Sequence, residues 1–205
     1  MMIKDYGARV EKIWQGLRPM TKKMIVGALQ TGASPIAGTQ NFSYDTQSDW
    51  ELSRLLIALD EQARDAEIRR DAEKIAEIRQ LAETCVRVLE AQTKSAEIFI
   101  QLAERFLKIN DYNRFDRLAD LLAQRFSATE IAEIVRQTES AQIRAVGYET
   151  LALMPAASIL PILDDPIYGE IAISALEQQA FEYDNEEARQ ILEQLELEGG
   201  SIGDG

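Results

Sequence analysis

Residues 128–165 read ATEIAEIVRQTESAQIRAVGYETLALMPAASILPILDD. This stretch contains two apolar triads with the spacing i, i+3, i+4, and a similar triad lies on either side of it. The four triads are Ala103-Phe106-Leu107, Ile131-Ile134-Val135, Ile159-Ile162-Leu163 and Ala188-Ile191-Leu192. Their first residues lie 28, 28 and 29 positions apart. A period in this range indicates stacked helical pairs, each too small to bury its own apolar face.

Helix signals extend over most of the chain and predict an all-α fold. No glycine or proline occurs between Gly38 and Gly147, and this region is rich in strong helix formers. Residues that cap helices recur before apolar-periodic runs, among them Asp165 and the pairs Ser127–Glu130 and Asp184–Glu187. The predicted helices are 95–109, 111–126, 128–138, 141–153, 156–164, 166–182 and 185–197. Connections this short make consecutive helices antiparallel neighbours.

The segment IRAVGYETLALMPAASILPILDD at residues 143–165 resembles a repeat of the HEAT-like α-solenoid superfamily. The resemblance covers about residues 95–197, although the arginine and aspartate positions usual in such repeats are not regularly occupied. It implies antiparallel helical hairpins stacked as a short α-solenoid. A tetratricopeptide array is disfavoured because its period of about 34 residues is absent. A compact bundle without a true repeat is the alternative fold.

The N-terminal part lies outside the repeat. Residues 3–17 form an amphipathic pattern that predicts a helix, and Pro19 ends it before a second short helix at Thr21 to Leu29. Trp14 on the first helix either packs inside the protein or docks on a partner groove or membrane surface. Residues 31–48 contain glycines, a proline and small polar residues, which predicts a long connection without regular structure.

Two features follow this connection. Ser48 and Glu51 have the spacing of a capping box. Residues 49–92 then form either one long helix or two helices with a turn near 60–71. We expect three parts in the chain: N-terminal helices and loop at 1–48, a helical-repeat domain at 49–197, and a flexible acidic and glycine-containing tail at 198–205.

The net charge of −13 is unevenly distributed. Residues 1–30 carry +4, whereas residues 149–205 carry −12. Such an arrangement favours either head-to-tail contacts between copies or an acidic surface that keeps the protein in solution. Nucleic acid is an unfavourable partner for so acidic a chain. With the single Cys85, no transmembrane segment and no signal peptide, the expected location is the cytoplasm.

The chain offers few groups for catalysis. It contains no histidine and one cysteine, which excludes His/Cys zinc sites and His-dependent nucleophilic catalysis. Phosphate-binding glycine motifs are absent as well. Acidic pairs such as Asp116 and Asp120 are interpreted as surface charge. We therefore expect no cofactor, no metal and no enzymatic activity.

The sequence favours a protein–protein interaction or assembly scaffold with an acidic helical surface, and a homo-oligomer remains open. The alternatives are an acidic inhibitor or immunity-type protein that neutralises a basic target, and a carboxylate-based enzyme or ligand-binding helical protein. Aromatic and arginine side chains are enriched in binding hot spots. On that ground the partner-binding candidates are Trp14, Phe42, Tyr44, Trp50, Tyr112 and Arg114.

Overall fold

The protein is all-α. A computed structural model describes residues 3–31 and 44–200, and these residues form helices and turns without a β-strand. The predicted all-α class is therefore confirmed. Within the same residues, no helix combines the length and the apolar character that crossing a lipid bilayer requires.

The chain divides into two compact units, Met1–Ile98 and Phe99–Gly205. The division falls inside a single helix. The boundary expected between residues 48 and 49 stays a prediction. Helices of the first unit are α1 Ala8–Gly16, α2 Pro19–Thr31, α3 Thr46–Gln62 and α4 Ala72–Gln92, with 3-10 turns at Ile3–Tyr6 and Ile68–Arg70.

The first helical segment is interrupted at Gly7. The chain makes a 3-10 turn at Ile3–Tyr6, passes through Gly7 with φ of 103°, and only then enters α1. This φ value is one that glycine adopts without the steric cost of a Cβ atom. Tyr6 is fully buried, and its hydroxyl donates a hydrogen bond to Glu77. The helix predicted over residues 3–17 is thus shorter than expected.

The start of α2 corrects one prediction. Pro19 was expected to separate two helices, but it occupies the first position of α2, where a proline has no hydrogen bond to lose. The start of α3 corrects a second one. Asp45 accepts a hydrogen bond from the Ser48 backbone N–H at 2.8 Å, so the helix begins at Thr46 and the predicted capping box at Ser48 is wrong. The expected irregular segment 31–48 accordingly ends before Thr46, and its residues 32–43 lie outside the described part.

The two alternatives for residues 49–92 are decided in favour of a turn. Helix α3 ends at Gln62, and Asp71 caps α4 by accepting a hydrogen bond from the Lys74 backbone N–H at 3.0 Å. The two helices pack together through fully buried aliphatic side chains. These are Leu52, Leu55, Leu56, Leu59, Ile78, Leu81, Val86 and Leu89. Cys85 is buried in the same core.

The helices of the second unit lie close to the predicted ranges. They are α5 Ala96–Lys108, which begins in the first unit, α6 Tyr112–Ala119, α7 Leu122–Arg125, α8 Ala128–Gln137, α9 Ala141–Leu153, α10 Ala156–Ile159, α11 Gly169–Phe181 and α12 Glu186–Gly200. The helix predicted over 111–126 is broken between α6 and α7. The one predicted over 156–164 continues from α10 as a 3-10 turn at Leu160–Ile162.

Two caps depart from the prediction and one is confirmed. Ser127 and Glu130 form the expected capping box. Asp165 binds the backbone N–H groups of Ile167 and Tyr168 in a turn before α11, so that helix starts at Gly169 rather than at 166. The predicted cap Asp184 is wrong. Asn185 accepts the hydrogen bond from the Ala188 backbone instead.

Gly169 provides a test of packing in the second unit. A Cβ atom at this position would lie 2.6 Å from the backbone carbonyl oxygen of Leu163, which cannot move aside as a side chain can. We expect Gly169→Ala to lower the free energy of unfolding by about 2 kcal/mol. Gly27→Ala is the matched control, because no atom lies within 4 Å of its added Cβ. In the helical position of Gly27, alanine should stabilise by about 0.5–1 kcal/mol. Urea unfolding followed by circular dichroism measures both changes, and equal effects would contradict the prediction.

Candidate protein-binding groove

A groove lies between α1 and α3 in the first unit. It encloses a cavity of about 440 Å³, within the range of roughly 300–1,000 Å³ that small ligand pockets occupy. The lining residues, which define the α1–α3 groove below, are Arg9, Lys12, Ile13, Gly16, Leu17, Trp50, Glu51, Arg54 and Ile57.

The helical period explains why these side chains share one surface. Trp50, Arg54 and Ile57 are spaced i, i+4 and i+7, which places them on one side of α3. The opposite side of α3 carries the leucines that are buried against α4. Trp50 is 52% exposed and Ile57 is 42% exposed. The groove therefore presents large apolar side chains to the solvent.

The indole of Trp50 is held by a neighbouring cation. The guanidinium carbon of Arg54 lies 4.4 Å from the ring centroid of Trp50. A contact of this kind contributes about 0.5–1 kcal/mol at an exposed site. It also favours one orientation of the indole, which reduces the conformational entropy lost when a partner covers it.

The rim of the groove is basic in an otherwise acidic protein. Arg9 pairs with Glu61, whereas Lys12 has no ion pair among the residues that the structure describes. Among the described residues that line the groove, Glu51 is the only acidic one. Its side chain is 4% exposed and binds groups behind the groove, so its charge is not directed at the solvent.

Arg18 connects the start of α2 to the start of α3. Its guanidinium donates two hydrogen bonds to Asp45, at 2.9 and 2.7 Å, and one to the carboxylate of Glu51 at 3.3 Å. The Arg18 backbone N–H and the Thr21 hydroxyl also donate to Glu51. These contacts fix the first turn of α3, and with it Trp50, against α2.

The acidic groups of this cluster are stabilised in their charged form. The hydrogen bonds from Arg18, and after them those from Ser48, hold the pKa of Asp45 well below its usual range. Burial raises the pKa of Glu51, but the hydrogen bonds from Thr21 and Arg18 outweigh it and leave that pKa below its usual value. Both carboxylates are therefore anionic at neutral pH.

Of the candidates in the first unit, the structure places Trp50 in the groove. Trp14 is half-buried on α1 and does not line it. The Tyr44 hydroxyl donates a hydrogen bond to Asp49, and burial, followed by this contact, raises the pKa of Tyr44. Tyr44 thus anchors the chain just before α3. Phe42 lies outside the described residues.

The two remaining candidates belong to the second unit and form no part of the groove. Tyr112 is 51% exposed, and its hydroxyl donates a hydrogen bond to the Asn110 side chain at 3.2 Å. Arg114 is half-buried, with its guanidinium carbon 4.8 Å from the ring centroid of Phe106. Arg114 therefore packs on the core of its own unit. Phe115 is 7% exposed and lies inside the same unit.

Sequence reasoning missed Lys12, Arg54 and Ile57. The spacing of Arg54 and Ile57 relative to Trp50 was a usable signal, because it marks an apolar and basic strip on the helix face opposite the leucines. Lys12 had no comparable signal, since its position beside Trp50 depends on the packing of α1 against α3.

A polar cluster in the second unit is structural. Glu133 accepts two hydrogen bonds from Arg136, both at 2.6 Å, one from the Tyr168 hydroxyl at 2.8 Å, and one from Gln137. The Arg136 contact, with those of Tyr168 and Gln137, lowers the pKa of Glu133 to about 2. The cluster joins α8 to the start of α11.

This shift gives a pH-dependent contribution to stability. A lowered folded-state pKa stabilises the protein fully above the ordinary value of 4.5, and this stabilisation is lost as the pH falls through about 2. We expect Glu133→Gln to cost about 1 kcal/mol at pH 7, a value reduced for solvent screening. The cost should shrink between pH 4.5 and 2. Urea unfolding across a pH series measures it, with Glu149→Gln on the exposed side of α9 as control. A cost independent of pH would contradict the assignment.

The described residues contain no group of three or more acidic or cysteine side chains placed to hold a metal ion. The chain shows no match to a protein-family model, to a curated protein or to a solved structure.

Proposed function

We propose that the protein is a non-enzymatic protein-interaction module that binds a partner in the α1–α3 groove. One observation carries the proposal: Trp50 is more than half exposed, is held by Arg54, and lies in an apolar groove with a basic rim. Tryptophan and arginine are the residue types most enriched in binding hot spots. A protein segment that combines an apolar side chain with acidic groups complements this groove.

The second unit serves in this proposal as a short α-solenoid scaffold. Two observations support that arrangement. Helix α8 packs against α9, and Gln179 near the end of α11 binds the carbonyl oxygens of Leu151 and Met154 at the end of α9. Helices α9 and α11 therefore run in the same direction, as alternate helices of a solenoid do.

A second candidate function rests on charge. Residues 149–205 carry thirteen acidic side chains against Arg189 alone, and Arg189 is paired with Asp184 and Glu186. Such a surface suits an acidic inhibitor that covers a basic target. In that function the contact is mainly electrostatic and does not require Trp50.

Affinity capture distinguishes the two functions. The immobilised wild-type protein, Trp50→Ser and Tyr112→Ser are incubated with a lysate of the source cells, and retained proteins are quantified by mass spectrometry. Tyr112 is the matched control because it is an equally exposed aromatic residue outside the groove. We expect Trp50→Ser to reduce retention about tenfold or more, since a hot-spot residue contributes over 1.4 kcal/mol, and Tyr112→Ser to leave it unchanged.

Two results would contradict the groove. The first is a set of retained proteins that is identical for all three baits. The second is retention of basic proteins that depends on salt but not on Trp50, which would favour the acidic inhibitor instead.

A further inference from the structure

A second exposed aromatic surface lies at the end of α11. Phe181, the last residue of α11, is 78% exposed, and Tyr183, in the turn that leads to α12, is 45% exposed. Leu153, which is 63% exposed, ends α9, and the last carbonyl groups of that helix accept hydrogen bonds from Gln179. Large apolar side chains grouped on a surface mark interaction sites more often than chance exposure. We call Phe181–Asp184 the aromatic turn.

The aromatic turn is held in one conformation. Gln179 is buried, and its side-chain oxygen accepts a hydrogen bond from the Asn185 side chain at 3.2 Å. The Asn185 backbone N–H donates to the Gln179 carbonyl at 3.0 Å. Between them Asp184 adopts a φ of 55°, a left-handed conformation that is uncommon outside glycine. A constrained turn presents Phe181 with little entropy left to lose on binding.

The surroundings of the aromatic turn are acidic. Residues 177–187 contain five acidic side chains and no basic one. The five are Glu177, Glu182, Asp184, Glu186 and Glu187. Arg189, one helical turn further on, donates to Asp184 and Glu186 and compensates part of this charge. The remaining negative charge surrounds an exposed phenylalanine.

These properties complement those of the α1–α3 groove. The groove combines exposed apolar side chains with Arg9, Lys12 and Arg54, and the aromatic turn combines exposed apolar side chains with acidic groups. The cavity of about 440 Å³ leaves room for an aromatic ring. Opposite charges at the rims of two such surfaces steer their encounter and fix their orientation.

We propose that the aromatic turn of one copy docks in the α1–α3 groove of a second copy, so that copies associate head to tail. This inference rests on the proposed function, because it uses the same groove and names a second copy of the chain as the partner. The contact is heterologous, since different surfaces of the two copies meet. Each copy keeps one free groove and one free turn, so association continues to a closed ring or an open chain. A contact of this limited size is weak and salt-dependent.

Complementary variants test the proposal. Trp50→Ser removes the aromatic side chain of the groove, and Phe181→Ser removes the most exposed one of the aromatic turn. Both side chains are exposed, so circular dichroism is sufficient to check that the variants fold. Sedimentation velocity is recorded from about 10 µM to 1 mM at low salt, a range that covers weak association. We expect the mass of the wild-type protein to rise with concentration and each variant to stay monomeric. An equimolar mixture of the two variants should form dimers and no larger species. The intact turn of Trp50→Ser binds the intact groove of Phe181→Ser, and the resulting dimer has no second intact pair of surfaces.

The matched control is Tyr112→Ser, which should assemble as the wild-type protein does. A charge exchange adds a second readout. Lys12→Glu alone should abolish association. Mixing it with a second variant, Glu182→Lys, should restore part of the association, because the opposite charges then meet with their signs exchanged. A wild-type protein that is monomeric up to about 1 mM overturns the inference. Association that survives both serine variants overturns it as well, as does a mixture that remains monomeric. Capture of another protein through Trp50 would meanwhile leave the proposed function intact.

Discussion

Replacing Glu51 by alanine is expected to lower the free energy of unfolding by about 3 kcal/mol, because its carboxylate joins α3 to the start of α2. The side chain is almost completely buried and accepts hydrogen bonds from the Arg18 backbone N–H, the Arg18 guanidinium and the Thr21 hydroxyl. Thr21 is itself fully buried. Alanine would leave this hydroxyl and the backbone N–H without an acceptor, and would leave a cavity at the same place.

Tryptophan fluorescence reports this change selectively, because both tryptophans of the chain, Trp14 and Trp50, lie in the first unit. Urea unfolding of Glu51→Ala is compared with Glu61→Ala, which removes an exposed carboxylate of the same helix that pairs with Arg9. An exposed ion pair contributes at most about 1 kcal/mol. Glu51→Gln should fall between the two, since an amide oxygen still accepts one hydrogen bond. Equal losses for Glu51→Ala and Glu61→Ala would show that the buried carboxylate has no special role.

The loss should also depend on pH. The pKa of Glu51 is lowered in the folded protein, so its contribution is complete above the unfolded-state pKa and disappears as the pH falls through the folded-state pKa. The difference between the wild-type protein and Glu51→Ala should therefore narrow in acid. The difference in unfolding free energy that remains at low pH measures the effect of the cavity and of the unpaired donors.

The same carboxylate shows where sequence reasoning fails. Ser127–Glu130 and Ser48–Glu51 have the same local spacing, yet only the first pair forms a capping box. Glu51 instead binds Arg18 and Thr21, which lie 33 and 30 residues earlier in the chain. A local pattern carries no information about a competing partner at that distance. The capping box at Ser127 was therefore predictable from the local pattern, and its absence at Ser48 was not.

The candidate groove was predictable in part for the same reason. The basic amphipathic N-terminal helix and Trp50 are separate features of the sequence, and only the packing of α1 against α3 brings Lys12 to the same surface as Trp50. The aromatic turn was not predicted from the sequence, for a different reason. Asp184 resembles a helix cap in the sequence, but it adopts a positive φ and the cap is Asn185. Phe181 and Tyr183 are exposed just before this cap.

Gln179 holds that turn, and replacing it by leucine is the second change expected to cost about 3 kcal/mol. Its side-chain nitrogen donates to the Leu151 carbonyl at 3.1 Å and to the Met154 carbonyl at 2.9 Å. These carbonyls lie in the last turn of α9, where the helix itself provides fewer donors. Leucine has a similar volume but no polar atoms, so it would leave both carbonyls and the Asn185 amide with fewer partners in a buried site.

Gln178→Leu is the matched control, since Gln178 is the neighbouring residue of α11 and its side chain donates a hydrogen bond to Glu182 at the surface, at 3.0 Å. Its effect should stay within about 0.5 kcal/mol. Far-UV circular dichroism during urea unfolding gives the stability, and amide hydrogen exchange locates the change. Exchange should accelerate in the last turn of α9 and in residues 181–185. Equal effects of the two leucine variants would contradict a specific role for Gln179. Because Gln179 is only 1% exposed, it cannot itself contact a second copy. Any loss of association in its variant would therefore arise from a less constrained Phe181, and would show that the rigidity of the aromatic turn contributes to binding.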